Sequence, residues 1–519
     1  MTAGINTSYR SQARPGRDGF WLLLRAEWTK FRSVRGWVIA MVVLVIVTAG
    51  FLLIGKVACS NGNSACTIPL GPGGEAVDDS YYLVRQPLDG NGSLTVRVTS
   101  LTGQIQAGPS PARVRAGSGS QTANLRSGVA PWAKAGILIE PDTAQGTAYA
   151  AMMVTGAHGV RMQYDYTGDV AGLPGAVSAA LPRWLRLVRT GDVISGYDSA
   201  DGTHWTPVGT VTLPGLPATV QAGMFAAAPS YWRKAGQSGT GGGPTLATGV
   251  FDRVGRAGSW PDASWTGTDI GADAMYPQLP GGYRQGGGTL RVTGSGDIAP
   301  DIPGTGTNIS FALLGTFVGL IVAVVVGTMF ITAEYRHGLI SSTLAAAPRR
   351  GQVLLAKAVV TGLVTFCFGL VAATAALAVG VRSLRQGGSF IDPVSTLTEV
   401  RLVAGTAALL AVAAILALAL GTVARRSAAA VTIATMGIVA PWMLSTLLSQ
   451  GAARWLLAVT PAAGFAIQQA YPRYPQTSID YATDRAYGPL VPWAGFAVLC
   501  AWTLAALVLA LFLLRRRDA

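Results

Sequence analysis

Six stretches, 36–55, 309–332, 358–381, 402–423, 428–449 and 491–514, contain no Asp, Glu, Lys, Arg or His. Each has the roughly 20 residues that a tilted helix needs to cross ~30 Å of hydrocarbon. A chain inside hydrocarbon must satisfy its own amides, so runs of this kind read as helices. Whatever else the chain builds, six membrane-spanning helices frame it.

Arg and Lys then orient the frame. Residues 1–35 hold Arg10, Arg14, Arg17, Arg25, Lys30, Arg32 and Arg35, the link 333–357 holds four more, and Arg425, Arg426, Arg515, Arg516 and Arg517 complete the set. These segments fall on one side and total 16, against 6 in 382–401 and 450–490 opposite. The positive-inside bias predicts a multi-pass plasma-membrane protein with both termini cytoplasmic and residues 57–308 extracellular. The expected organisation is a cytoplasmic N-terminus 1–35, a first span 36–56, the external region 57–308, and spans two to six in 309–517. The formal charge of +14 belongs to the membrane part, because 57–308 balances 16 basic against 17 acidic residues. It reads as topology signal and attraction to membrane lipid, not as a nucleic-acid surface.

The external region differs in composition, being rich in Gly, Thr, Ser and Asp. Short runs such as "GSLTVRVTS" (92–100), "AGILIE" (135–140), "GVRMQYDY" (159–166), "RWLRLVR" (183–189) and "ATVQAGMFA" (218–226) alternate with Gly, Pro and Asp clusters. Such spacing predicts an all-β sandwich. In "GDVISGYDSADGTHWTPVGTV" (191–211), Asp201-Gly202 predicts a tight hairpin turn. The Gly-rich stretches 236–243 and 281–288 read as loops or linkers, and 285–300 as a last strand before the chain re-enters the membrane. Cys59 and Cys66, in "CSNGNSAC", lie just outside the first span, where they form a disulfide or remain two free thiols. Cys367 and Cys500 fall within spans and read as packing residues. His158 and His204 have no partner spacing that suggests a metal site.

On the cytoplasmic side, "DGFWLLLRAEWTKFRSVR" (18–35) carries Phe20, Leu24, Trp28 and Phe31 at helical spacing. This predicts an amphipathic interfacial helix with Trp21 and Trp28 as anchors. The link "ITAEYRHGLISSTLAAAPRRGQVLLAKAVV" (331–360) crowds Glu334, Arg336, His337, Arg349, Arg350 and Lys357 into a chain that is 12% charged. Glu334 to His337 form a polar cluster at the membrane exit, Gly338 permits a bend, and Pro348 stops a short helical segment before Arg349 and Arg350. Such a segment is either a rigid lever or a positively charged turn that sets topology.

No G-x-x-x-x-G-K-[ST] loop occurs among the five lysines, so the chain does not cradle ATP phosphates in the usual way. No span carries an ionisable residue of the kind proton- or sodium-coupled carriers place near the midplane.

Residues 182–211 resemble the concanavalin A-like jelly-roll modules of secreted bacterial proteins, a likeness covering about 78–255. Glycan-cleaving enzymes of that fold use a Glu-x-Asp-x-x-Glu strand to flank the glycosidic bond. The only glutamates in 57–308 are Glu75 and Glu140, so no catalysis is expected. Trp184, Tyr197 and Trp205 either stack on glycan or fill the sandwich. "LRAEWTKFRSVRGWVIA" (24–40) followed by "EYRHGLISSTLAAAPRRGQVLLAKA" (334–358) resembles the permease subunit of ABC-2 type transporters in its actinobacterial form, over about 18–56 and 309–517. The resemblance implies six spans and export driven by a separate cytoplasmic ATPase that binds ATP and Mg, with no cofactor in this chain. It also implies pairing with a second permease copy, as homodimer or heterodimer. By the same resemblance the ATPase-coupling contacts are Glu334, Tyr335, Arg336, His337 and Gly338, with Arg349 and Arg350 in the coupling loop 333–357 and Glu27 and Lys30 nearby. Residues 454–471 resemble the partly re-entrant external helices that precede the last span. A 252-residue first external loop departs from the short one usual there. The alternative reading is a membrane-anchored cell-wall glycan receptor whose spans only hold the sandwich.

Overall fold

The computed structural model describes residues 19–54, 69–106, 125–235, 239–243, 245–261, 264–271, 279–300, 308–338, 349–387, 390–445, 447–448, 450–470, 474, 476 and 489–516. The Cys59–Cys66 pair and residues 339–348 of the link lie outside the described residues. The helices are α1 (Phe20–Ser33), α2 (Arg35–Ile54), α3 (Thr316–Arg336), α4 (Arg350–Gln386), α5 (Thr396–Ala424), α6 (Ser427–Ser445), α7 (Gln450–Val459) and α8 (Pro492–Arg516). Six of them, all but α1 and α7, are long and apolar enough to cross a membrane, as the uncharged runs predict. An all-β domain is inserted between α2 and α3.

Helix α5 is the hub and the most enclosed of the six. Its Ala-rich surface lets neighbours approach to backbone contact. A Cβ at Gly327 of α3 would fall 2.2 Å from the Ala414 carbonyl, and one at Gly369 of α4 would fall 2.9 Å from Ala407 Cα. Small residues at such crossings let dispersion hold helices together where lipid removes the hydrophobic drive. Helix α4 is longer than its uncharged run, with 37 residues from Arg350. At 1.5 Å per residue it extends about 55 Å, well beyond the hydrocarbon thickness. Arg349 and Arg350 therefore cap and begin this helix instead of preceding it, and Lys357 lies within it.

In the inserted domain, every strand-like run named above forms part of a strand. The domain is an antiparallel sandwich built around the 26-residue strand Tyr81–Gln106. The first half of that strand pairs with Thr219–Ala227, and the second half pairs with Arg183–Thr190 and Leu246–Ser259. Leu185 and Leu187 point inward while Trp184 and Arg186 are half-buried on the other face, the alternation of a one-sided strand. A Cβ at Gly196 would meet the sulfurs of Met152 and Met162 at 2.6 and 2.7 Å, so the two layers are in close contact.

The structure departs from the turn and loop reading in three places, the first being Gly239–Gly243, which pairs as a strand with Tyr231–Ala235. The Asp201-Gly202 connection is a six-residue loop between Val193–Ser199 and Thr206–Thr212. Only Gly202 has positive φ (+81°), and the Asp201 carboxylate accepts from the Thr203 and His204 amides. The Gly-rich stretch 281–288 is a hairpin, Gly282–Gly286 against Thr289–Gly294, turning at Gly287 and Gly288 with φ +58° and +75°.

The strand Lys134–Glu140 is buried on both faces because a second apolar cluster covers the sheet's back. That cover includes Val77–Asp79 paired with Ile298–Pro300, so the chain's arrival and departure run side by side. Glu140 is sealed beneath it, accepting from the Tyr81 hydroxyl at 2.5 Å while its second oxygen has no hydrogen-bond partner. Burial pushes the Glu140 carboxyl up to about 8, against the Tyr81 hydrogen bond that acts to lower it. Burial likewise raises Asp79 to about 6, opposed by the Gly146 amide. Both groups hold a proton more tightly folded than unfolded, where their values are 4.5 and 3.8. Their contribution to stability is thus complete below about pH 4 and lost as pH rises through 6 and then 8. The domain's unfolding temperature should fall between pH 5 and pH 8, and Glu140→Gln should flatten the upper part of that fall. A thermal-unfolding series with the same slope in wild type and variant would refute this assignment.

Candidate functional site

Helix α1 lies against the bundle with Glu27 and Phe31 buried, four residues apart on one face. Trp21 and Trp28 are exposed. The face turned to the bundle therefore passes through Glu27 and Phe31, not through Trp28. Burying a carboxylate is costly unless it is paired and hydrogen-bonded. Here the partner is Lys357 of α4, whose ammonium is fully buried, 2.7 Å from Glu27 Oε2 and 2.6 Å from Glu334 Oε1.

Lys30 completes a four-membered cluster of zero net charge, donating to Glu27 Oε1 and Glu334 Oε1 at 3.1 Å each. Its partial burial acts against the ammonium, but Glu27 and Glu334 outweigh it and raise the Lys30 pKa. Phe330 roofs the cluster, with Lys357 Nζ 4.7 Å from its ring centre. Phe31 and Trp37 pack edge-on or tilted against Phe330 and each other, with centroids 5.0 to 5.8 Å apart. The cluster joins α1, α3 and α4 at one point.

The other candidate coupling residues surround this point. Tyr335 packs against the helical core with the Arg425 guanidinium 5.4 Å from its ring. Arg336 and His337 are exposed at the end of α3. His337 Nδ1 lies 2.8 Å from the Ala333 carbonyl, a contact that requires its proton on that nitrogen. Gly338 has φ +66°, the left-handed conformation that ends a helix. Arg349 caps α4, and Arg350 donates to the Leu514 carbonyl of α8 at 2.6 Å. The structure thus brings Glu27, Lys30 and Glu334 into one buried cluster and leaves Arg336 and His337 facing outward. Lys357, the cluster's centre, is the residue that sequence reasoning counted only as a topology charge. Its signal was that it sits against an apolar run in a chain with five lysines.

At the opposite end, α7 breaks at Pro461 into a short 3-10 helix, Pro461–Gln468, that enters the bundle. Gln468 ties it to Thr316 of α3 and Thr406 of α5 at 3.0 and 2.9 Å. The sandwich is seated on this end. Gln476 is buried against it, donating to the Tyr166 and Thr167 carbonyls at 2.9 and 3.0 Å.

Trp184, Tyr197 and Trp205 gather on one outer face of the sandwich. Tyr197 pairs across from Arg186, whose guanidinium lies 3.8 Å from the Trp205 ring centre. Gly202 is pressed against Trp184, where a Cβ would fall 2.6 Å from the indole, and Arg97 lies 5.8 Å from the same ring. All three aromatics are half-buried. No group of three or more metal-ligating side chains occurs among the described residues.

Among solved structures, the chain is similar to a functionally unknown protein from Saccharomyces cerevisiae at 14% identity, covering 38% of this chain and 83% of that one, with a TM-score of 0.20. It is also similar to scytalido-glutamic peptidase bound to a transition-state analog inhibitor, at 8% identity, 42% and 98% coverage and TM-score 0.25. A mutant of the GH43 protein BlXynB from Bacillus licheniformis matches at 15% identity, 33% and 28% coverage and TM-score 0.18. No curated protein matches the chain. The family model "ABC-2 family transporter protein" matches residues 21–519, from α1 through the last helix. The chain is a multi-pass membrane protein and belongs to the ABC-2 family of transporter proteins, as a permease component.

Proposed function

We propose that this chain is the permease of an ATP-driven exporter, working as a dimer with separate cytoplasmic ATPase subunits that bind ATP and Mg. The observation that carries the reading is the Glu27–Lys30–Glu334–Lys357 cluster, which fastens α1 to α3 and α4 beside the exposed Arg336 and His337. In this reading the α1 end of the bundle is cytoplasmic, and the ATPase presses on α1, Arg336, His337 and the loop 333–357. The cluster passes that force to the spans, which reorient a central path from inside to outside. The sandwich, read as a concanavalin A-like module, lies outside and offers its Trp184–Tyr197–Trp205 face to glycan or cargo.

The test is gentle purification of the tagged full chain, followed by an ATPase assay. A nucleotide-binding subunit should accompany it. Replacing Arg336 and His337 by alanine should lower coupled ATPase activity several-fold without loss of membrane insertion. Recovery of the chain alone at low salt with ATP, together with tight binding of wall polysaccharide, would favour an anchored receptor instead.

A further inference from the structure

Five strands of the sandwich set five residues in one row across the sheet. Register pairs Pro207 with Tyr197, Tyr197 with Arg186, Arg186 with Thr95, and Thr95 with Gly255. Residues paired in this way share a face, and neighbouring strands lie about 4.8 Å apart, so the row runs for about 19 Å. The face is the outer one, since Leu94, Val96, Leu185 and Leu187, next along their strands, are buried in the core. The adjoining row, Ser93, Val188, Ser195 and Thr210, carries only short side chains. At the far end, a Cβ on Gly255 would have only the Thr95 Cβ near it, at 3.8 Å. Arg186 and Tyr197 therefore stand beside a shallow trough lined by hydroxyls.

Arg97 and Arg186 both sit on this face, and they differ in their partners. Arg97 is matched within the chain, donating from Nε and one terminal nitrogen to the two carboxylate oxygens of Asp252 at 2.7 and 2.6 Å. Arg186 has no such acid. Its Nε donates to Thr95 Oγ1 at 3.0 Å, and its guanidinium lies over the Trp205 ring. Its two terminal nitrogens make no hydrogen bond or ion pair among the described residues. Asp201, in the loop that carries Trp205, is engaged by His204 Nδ1 at 2.6 Å. A guanidinium held at one nitrogen and across one face has lost much of its freedom before any ligand arrives. What it still presents is the two-nitrogen end that fits the paired oxygens of a carboxylate or phosphate.

We infer that this row is a subsite for an acidic glycan. A carboxylate or phosphate on the sugar chain accepts from the terminal nitrogens of Arg186, and the sugar ring lies against Tyr197. The inference rests on the reading of the Trp184–Tyr197–Trp205 face as glycan-binding and adds the charge class of the glycan. An apolar cargo on the same row would strip water from the Arg186 fork and give it no acceptor, which is costly. The hydroxyls of Ser93, Thr95, Ser195 and Thr210 suit a sugar chain instead.

Isothermal titration calorimetry of the purified full chain tests the subsite with three oligosaccharides of equal length: a uronic-acid homopolymer, a sugar-phosphate polymer and a neutral glucan. One of the acidic probes should bind about tenfold or more tighter than the glucan, and which one does so names the source of the anion. Arg186→Gln should bring that probe down to the level of the glucan and leave the glucan's affinity unchanged. Thr95→Val keeps a β-branched residue in the strand and releases the guanidinium, so it should weaken the same probe several-fold. It reads the site independently of how well the glutamine variant folds. Equal affinity for all three probes, or acidic binding untouched in both variants, would overturn the inference and leave the glycan reading standing. No binding of any probe would overturn both. Full displacement of the acidic probe by millimolar inorganic phosphate would make this a free-anion site and sink the subsite as well.

Discussion

Lys357→Met should release α1 from the bundle while leaving the six spans folded. The substitution removes the central cation of the cluster and leaves two buried carboxylates sharing Lys30, whose side chain is 41% exposed. Breaking a buried ion pair from one side costs about 3–5 kcal/mol, since the remaining charge is stranded. The apolar anchor of α1 is chiefly Phe31, and burying one such side chain contributes about 1.5–3 kcal/mol. The stranded charge therefore outweighs the anchor, and the cheapest relief is for α1 to detach and hydrate Glu27. Limited trypsin digestion at Arg25 and Arg32 reads this directly: cleavage should be much faster in the variant. The double variant Lys357→Met with Glu27→Gln restores charge balance through the remaining Lys30–Glu334 pair and should recover most of the protection. A single variant as resistant as the wild type would show that the cluster does not hold α1.

The second large effect is expected in the sandwich. Lys134 is fully buried, and its ammonium lies 2.5 Å from Asp297 Oδ1 and 2.7 Å from the Ile298 carbonyl. This contact fastens the strand Lys134–Glu140 to the segment that leaves the domain. Asp297→Ala strands a fully buried lysine on one carbonyl, again at a cost of about 3–5 kcal/mol. For a domain of this size that corresponds to a fall of about 6–20 °C in unfolding temperature. Pairing Lys134→Met with Asp297→Leu removes both charges and should restore most of the loss, as well-packed apolar replacements of buried pairs do. A single variant within a degree or two of wild type would mean that water or a neighbouring acid takes up the lysine.

Features that depend on local pattern were legible before the structure. Six helices follow from uncharged runs, and the strands 135–140 and 183–189 follow from their composition and alternation, because burial there is decided residue by residue. What the pattern could not reveal depends on partners far along the chain. Glu27 and Lys357 meet across 330 positions, and neither is apolar, so no periodicity marks them as buried. The back cover of the sandwich was hidden likewise, because Val77–Asp79 finds its partner at Ile298–Pro300. The first strand of the Gly-rich hairpin, Gly282–Gly286, was missed because backbone pairing, not side-chain pattern, makes it.

The ladder of Val77–Asp79 with Ile298–Pro300 has an architectural consequence. Asp79 and Ile298 are neighbours in space, so the residues between them add nothing to the span that the connection from α2 to α3 must close. The entropy of closing a loop grows only slowly with its length, and a folded insert with adjacent ends avoids even that slow growth. α2 and α3 need not spread to admit a sandwich, and the sandwich need not know what the helices carry. The join is a plug with two adjacent pins, at which a lineage could exchange one inserted module for another without redesigning the helical bundle.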